Sequence, residues 1–315
     1  MQASSGYYLA FFCCCRSLSC AGLKLLCVLG TLGASACTFI DHQSAPEIIT
    51  NFSDTRPFSN ESDLRVTINF PVGHIIIEAD PGEALYSLDV DYDASRFQPE
   101  AKYQEGHLDF RLRGDHSLDM DTDRLRLSFG TGLKSFQLKN RLILRVSPKT
   151  KLDLNLRAGL GETKINLARL TTRGLQIQSG VSSTFISCDT PNLIACERLH
   201  MKAGVGEFEA LQLGNLNFET LDFEGGVGSS HLDFGGRWRR NASVSVKMGI
   251  GELQIKLPRE VGAQVESEKK FLSGLHLESF LQRGSTYFSD NFDSSSIKLS
   301  FHLQTGIGSI RVKWL

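Results

Sequence analysis

The chain is poor in most of the residues that carry chemistry. Tryptophan occurs twice, methionine four times and proline eight times in 315 residues. Six of the eight cysteines lie at or before Cys37, so the body keeps only Cys188 and Cys196. Their spacing matches no zinc pattern, and no histidine pair accompanies them. A disulfide across the Asp189-Thr190-Pro191-Asn192 bend is one reading of the two thiols; a pair of small buried hydrophobes is the other. Neither sign of charge dominates, since 34 basic and 35 acidic residues leave −1. There is no basic face for a nucleic acid, and none is expected as a partner. The eight histidines include no His-x-His or His-Glu-x-x-His, and no Gly-x-Ser-x-Gly elbow occurs. Acidic pairs such as Asp89/Asp91 and Asp121/Asp123 do not recur at matching register, which a polysaccharide-cleaving β-helix would need. The expectation is no enzyme, no catalytic residue, no metal and no cofactor.

The first 36 residues differ from the rest. Apolar patches at Tyr7–Cys15 and Ala21–Ala36 accompany Arg16 and Lys24, and the second ends in small residues. That is the pattern of a secretory signal peptide over 1–36, and the second patch alone is short of the about 20 residues a spanning helix needs. Ala34-Ser35-Ala36-Cys37 resembles the lipobox of bacterial lipoproteins, with Ala34 where leucine is usual. Acylated Cys37 would hold the chain on a membrane face, whereas plain cleavage after Ala36 would leave an unpaired thiol in an oxidising compartment. Residues 37–63 are polar, with Pro46, Pro57 and no sustained periodicity, and read as a lipidated N-terminus and flexible tether.

What is abundant is glycine, in one recurring phrase. It reads Gly159-Leu160-Gly161, Gly180-Val181-Ser182, Gly204-Val205-Gly206, Gly226-Val227-Gly228, Gly249-Ile250-Gly251 and Gly306-Ile307-Gly308. The first five copies start 21, 24, 22 and 23 residues apart. A period in that range marks stacked units, none of which can bury its apolar face alone. With the first glycine as position zero, position −5 holds Leu154, Leu175, Leu199, Leu221, Val244 and Phe301, and position −3 is apolar throughout. Position +1 is Leu, Val or Ile in every copy. Position +6 holds Ile165, Ile186, Leu232, Ile255 and Val312, with the Gly204 copy slipped by one to Leu211. Apolar positions two apart on each side of the phrase mean two β-segments, each with one face inward, and the glycines make the corner between them. Pro71-Val72-Gly73 and Gly130-Thr131-Gly132 are weaker upstream copies. The fold class predicted is an all-β single-stranded solenoid with rungs of roughly 22 residues at 151–315, preceded by a less regular β cap region at 64–150.

The period breaks once, at an insertion over 259–296 that carries Phe271, Phe280, Tyr287, Phe288 and Phe292. These aromatics read either as a binding lip for sugars or partners, or as a loop covering the open end of the stack. Position +3 alternates Glu162, Ser183, Glu207, Ser229, Glu252 and Ser309. Stacked rungs would make this a ladder, and the intervening serines would keep the glutamates about 10 Å apart. It is either a carboxylate row for a cation or a sugar hydroxyl, or a solvated edge patterned against self-repulsion.

The rungs from Leu152 to Pro258, closed by Thr305–Val312, resemble the C-terminal domain of LiaF-type cell-wall stress proteins and the related toast-rack adhesin-like domains. Leu64–Gly114, with Pro71-Val72-Gly73-His74, resembles the N-terminal toast-rack segment often joined to them. The resemblance implies an extracytoplasmic β-solenoid with no catalytic residues to carry over. Taken with the lipobox-like Cys37, the expectation is an adhesion, binding or scaffold module of the bacterial envelope, anchored to the membrane through its N-terminus and facing an envelope protein or polysaccharide. A regulatory role in envelope stress is the alternative, and a polysaccharide-active enzyme a further one. The chain lacks the membrane-spanning helices that precede the repeats in LiaF itself.

Overall fold

The structure is a computed structural model that describes residues 47–80, 82–114, 139–268 and 273–315. Its elements are sixteen strands: β1 (Ile49–Pro57), β2 (Asp63–Ala79), β3 (Ala84–Asp93), β4 (Phe97–Gln104), β5 (His107–Gly114), β6 (Arg141–Val146), β7 (Lys151–Asn166), β8 (Thr171–Ser187), β9 (Arg198–Leu211), β10 (Thr220–Asp233), β11 (Ala242–Leu257), β12 (Gly262–Glu268), β13 (Ser273–Leu277), β14 (Phe280–Arg283), β15 (Thr286–Ser289) and β16 (Lys298–Trp314). A 3-10 turn at Leu213–Leu216 is the helical element among the described residues. Seven long strands stack in parallel in the order β2-β7-β8-β9-β10-β11-β16. The glycine phrases lie in register, with Gly161 beside Gly73, Gly228 beside Gly206 and Gly308 beside Gly251.

Each long strand must fold back on itself. A straight 16-residue β7 would span about 53 Å. Its link to the in-register start of β8 runs from Asn166 to Thr171 and reaches at most about 18 Å. The rung is therefore two arms meeting at the glycine phrase, with the link closing a third side. Burial shows the same thing. In β10 the inward residues are Leu221, Phe223 and Gly225 on the first arm, then Ser230 and Leu232 on the second. A straight strand would put Gly225 and Ser230 on opposite faces.

Both glycines of the phrase answer to this bend. The second has φ of +130° to +137° in β2, β7, β9, β10, β11 and β16. A Cβ at Gly228 would lie 1.9 Å from the carbonyl oxygen of Gly206 on the rung below, and one at Gly251 would lie 1.8 Å from that of Gly228. The first glycine keeps an ordinary φ but is as crowded: a Cβ at Gly226 would sit 2.2 Å from the Gly204 oxygen. In β8 Ser182 takes the second position and has no positive φ.

The core fills the space between the arms and the links. Phe208 meets Phe223 at 5.2 Å between ring centroids, and Phe234 meets Phe301 edge-on at 5.2 Å. The links contribute Leu213, Leu216, Phe218 and Phe234, all essentially inaccessible to solvent. At position +6 the β9 residue is Ala210, aligned with Ile186 and Leu232 and buried. The slip to Leu211 is thus corrected: the bulk of Phe208 two residues earlier leaves room only for alanine, and the register does not shift.

Each end of the stack is covered arm by arm. On β2, β5 pairs with Arg65–Asn69 and β6 with His74–Ala79. On β16, β12 pairs with Lys298–Gln304 and β13 with Gly308–Val312. β2 is itself a complete rung, so the regular stack starts at Asp63 and not at 151. The tether expected over 37–63 is shorter than its composition implies, because Ile49–Pro57 is a strand paired antiparallel with β3. Its polar sequence is that of an edge strand with one half-buried face, on which Phe52 packs 6.2 Å from Phe110. Cys37, Phe271 and the Gly130-Thr131-Gly132 copy lie outside the described residues.

Candidate functional site

The stack presents three outer surfaces. The first is the bend. Val181, Val205, Val227, Ile250 and Ile307 form one in-register column and are 37% to 49% exposed. The alternation in the sequence assigns position +1 to the inward set. The structure turns it out, because the chain changes direction there and the side chain falls on the convex side. Beside it runs the +3 column, with Glu162, Ser183, Glu207, Ser229, Glu252 and Ser309 aligned rung by rung. Gly159, Gly161, Gly180, Gly204, Gly206, Gly226, Gly228, Gly249, Gly251, Gly306 and Gly308 all lie along this line.

The second surface is the outer side of the second arms, where His231 Nδ1 lies 3.0 Å from a Glu209 carboxylate oxygen.

The third is an open groove of about 690 Å³ across the first arms of β2, β7, β8 and β9. Arg65, Thr67, Asn155, Gln176, Arg198 and His200 line it. A register irregularity between β7 and β8 creates it: Leu152 pairs with Thr172 and Asp153 with Gly174, so Arg173 is the extra residue of a bulge. The missing side chain at Gly174 makes room for the Asp153 carboxylate, since a Cβ there would stand 2.8 Å from Asp153 Oδ1. Arg173 donates to both Asp153 and Asp63, with Nε 3.1 Å from Asp153 Oδ2. Hydrogen bonding to Asp153, then the attraction of both carboxylates, holds its guanidinium above the ordinary value. Asp63 is held low by the Ser62 hydroxyl and by Arg173. The groove therefore has a fixed ionic floor and hydrogen-bonding walls that reach solvent. Sequence reading misses it because its residues are ordinary outward polar side chains, and only the bulge at Arg173 makes a depression of them.

The aromatics of the insertion do not form one lip. Phe280 stacks on Trp314 at 5.9 Å, and Tyr287 lies opposite Val265; both pack against the core. Phe288 and Phe292 meet edge-on at 4.9 Å, with Arg283 over one ring and Lys298 over the other. Since β12 and β13 also pair with β16, the insertion covers an edge that would otherwise be open.

Cys188 and Cys196 are free, buried thiols rather than a disulfide. Each has its own backbone acceptor: Cys188 Sγ donates to the Thr190 carbonyl at 3.3 Å and Cys196 Sγ to that of Arg198 at 3.7 Å. Burial pushes both thiols up to about 12. At pH 8 only about 0.01% of a thiol of that pKa is ionised. Iodoacetamide should leave both unlabelled in the native chain and label both after unfolding, as read by peptide mass spectrometry. Native labelling at either site would contradict this burial. Folding raises these pKa values, so the thiols' contribution to stability is present below the unfolded thiol pKa and is lost as pH rises from it toward 12.

Among the described residues no helix is long and apolar enough to cross a membrane. The family described as the N-terminal domain of toast_rack, DUF2154, matches residues 43–191 and 194–256. The match begins before β1, covers Leu64–Gly114 and most of the rungs from Leu152 to Lys256, and stops short of the closing Thr305–Val312. A comparison with proteins of curated function finds no match. Among solved structures, a candidate cell adhesion protein of Clostridium sporogenes is similar with a TM-score of 0.42 and 16% identity, over 85% of this chain and all of that one. A candidate adhesin of Bacteroides fragilis gives 0.37 and 15%, over 84% and 97%. A candidate lipid-binding protein of Parabacteroides distasonis gives 0.30 and 9%, over 85% and 96%.

Proposed function

This chain belongs to the toast-rack N-terminal domain family, and on that premise we propose that it is a non-catalytic binding module of the bacterial cell envelope. It is exported by the segment 1–36 and tethered to a membrane face through acylated Cys37. Its groove over the first arms holds an extended, hydroxyl-rich envelope polymer. The observation that carries this reading is the groove itself. It is open along its length, crosses four rungs and offers donors and acceptors from Arg65, Asn155, Gln176, Arg198 and His200 around the pinned Arg173. An open, polar surface that crosses several rungs suits a chain-like ligand better than a small molecule, which needs an enclosed and largely apolar pocket. A backbone held by strand pairing keeps the groove's spacing constant, so little ordering is left to the ligand's arrival.

The test is binding of the chain to arrayed envelope polysaccharides, beside the triple variant Arg65→Ala, Arg198→Ala and His200→Ala. These three side chains lie on the outer face, so the fold should keep its thermal transition. The expected result is binding that falls at least about tenfold in the variant, the loss of roughly 1.4 kcal/mol of contact. Absence of binding, or binding unchanged in the variant, would remove the groove from the function. In bacterial cells that express the chain, Cys37→Ser should move it out of the membrane fraction; continued sedimentation with membranes would contradict lipid anchoring.

A further inference from the structure

The apolar column at the bend is left half-exposed on five consecutive rungs, with Leu160 partly buried and Val72 buried at its head. Isolated exposed valines need no explanation, but a continuous row does. Its two flanks are charged in opposite senses. Two residues before the first glycine stand Arg157, Lys202 and Lys247 on β7, β9 and β11. Three residues after it stand Glu162, Glu207 and Glu252 on the same three rungs. The intervening rungs carry Gln178 with Ser183, Glu224 with Ser229, and Gln304 with Ser309. Cation and carboxylate thus sit at the same height on opposite sides of the ridge, on alternate rungs. Lys202 also reaches Glu224 of the next rung at 3.4 Å, and His74 reaches Glu162 at 3.5 Å.

We propose that this ridge is a self-association surface: a second copy of the chain docks bend to bend, with the two stacks parallel about a two-fold axis running along the ridge. Charge selects this arrangement. Rotation about that axis lays the cationic flank of one copy over the acidic flank of the other. Arg157 then faces Glu162 of the second copy, Lys202 faces Glu207 and Lys247 faces Glu252. The antiparallel alternative would lay cation on cation and carboxylate on carboxylate, which is unfavourable. Such a contact is isologous, as closed dimers require. Six rungs at about 4.8 Å and five residue steps at about 3.3 Å outline roughly 480 Å² per copy. The total of about 1,000 Å² is at the lower edge of specific interfaces, so the dimer is weak and concentration-dependent. The surface is separate from the groove, and its failure would leave the groove reading intact.

The test is oxidative cross-linking of the full chain carrying Val181→Cys or Ile307→Cys, with linked peptides identified by mass spectrometry. Because the ridge lies on the two-fold axis, each variant should link to itself, its Cα atoms within the about 4.4–6.8 Å a disulfide spans. Sedimentation equilibrium of the native chain should show a dimer, weakened about tenfold by Lys247→Glu through two mirrored pairs. Adding Glu252→Lys to that variant should restore it. A chain that stays monomeric at ~1 mM, the scale of an association of only about −4 kcal/mol, would overturn the proposal. So would linking only between the two variants when mixed, or no rescue by the double exchange.

Discussion

Gly228→Ala should destabilise the chain by more than about 4 kcal/mol, enough to unfold it or lower its melting temperature by ten degrees or more. Two effects add. The residue has φ +137°, a conformation side chains rarely adopt. The added methyl would also stand 1.9 Å from the Gly206 carbonyl oxygen, and this is backbone inside a paired stack that cannot move away. Gly284→Ala is the uncrowded comparison, at a left-handed φ that side chains enter at modest cost. Gly284 has φ +64° in the β14–β15 turn with nothing within 4 Å of the new atom, so only the conformational term of about 1 kcal/mol remains. Ser182→Gly, at the equivalent position of β8, should change stability by less than about 1 kcal/mol. Urea unfolding followed by circular dichroism reads all three. Equal effects for Gly228→Ala and Gly284→Ala would show that the close approach between rungs is absent.

Asn192→Ala should cost about 3–4 kcal/mol, although the residue lies in a link between rungs. Its side-chain Nδ2 donates to the Thr172 carbonyl at 2.6 Å, and its Oδ1 accepts from the Thr172 N–H at 3.0 Å. Thr172 is fully buried beside the bulge, so both backbone groups would lose their partner out of reach of water. On the next rung Asn215 has the same role, donating to the Cys188 carbonyl and accepting from the Arg237 N–H. Asn140 ties the Val72 carbonyl to the Asp93 N–H at the head of the stack. The control is Asn51→Ala, which removes a solvent-exposed hydrogen bond to Asp91 and should cost at most about 0.5 kcal/mol. Comparable losses in the two variants would mean that Asn192 is not a staple between rungs.

The stack is legible in the sequence because a repeat places like residues at like heights. Aligning the glycines puts Glu162 beside Ser183 and Val205 beside Val227, and the backbone pairing has that same register. Three features are hidden for physical reasons. Apolar identity says that a residue prefers burial, not that the chain's bend allows it, so the valine and isoleucine column reads as core when it is the outer ridge. Register is misread at Ala210 because volume is shared among neighbours: Phe208 and Ala210 together fill what Thr184 and Ile186 fill on β8. Asparagine in a link reads as a turn former, and the burial of Asn192 and Asn215 depends on contacts with residues some twenty positions away. The groove has the least local signal of all. One extra residue, Arg173, in one rung separates it from the flat outer face of the neighbouring rungs.

Central to this account is that each rung rises by one strand spacing, insertion included. Glu162 on β7 and Ser309 on β16 are 147 positions apart in the chain yet lie five in-register steps apart in one column. Double electron–electron resonance between spin labels at Glu162→Cys and Ser309→Cys measures this directly. The N-terminal cysteines would be replaced by serine and the labelled chain diluted with unlabelled chain. A single distance peak centred at about 24 Å is expected, allowing for the label arms. A peak beyond about 35 Å, or two separate peaks, would contradict the in-register stack.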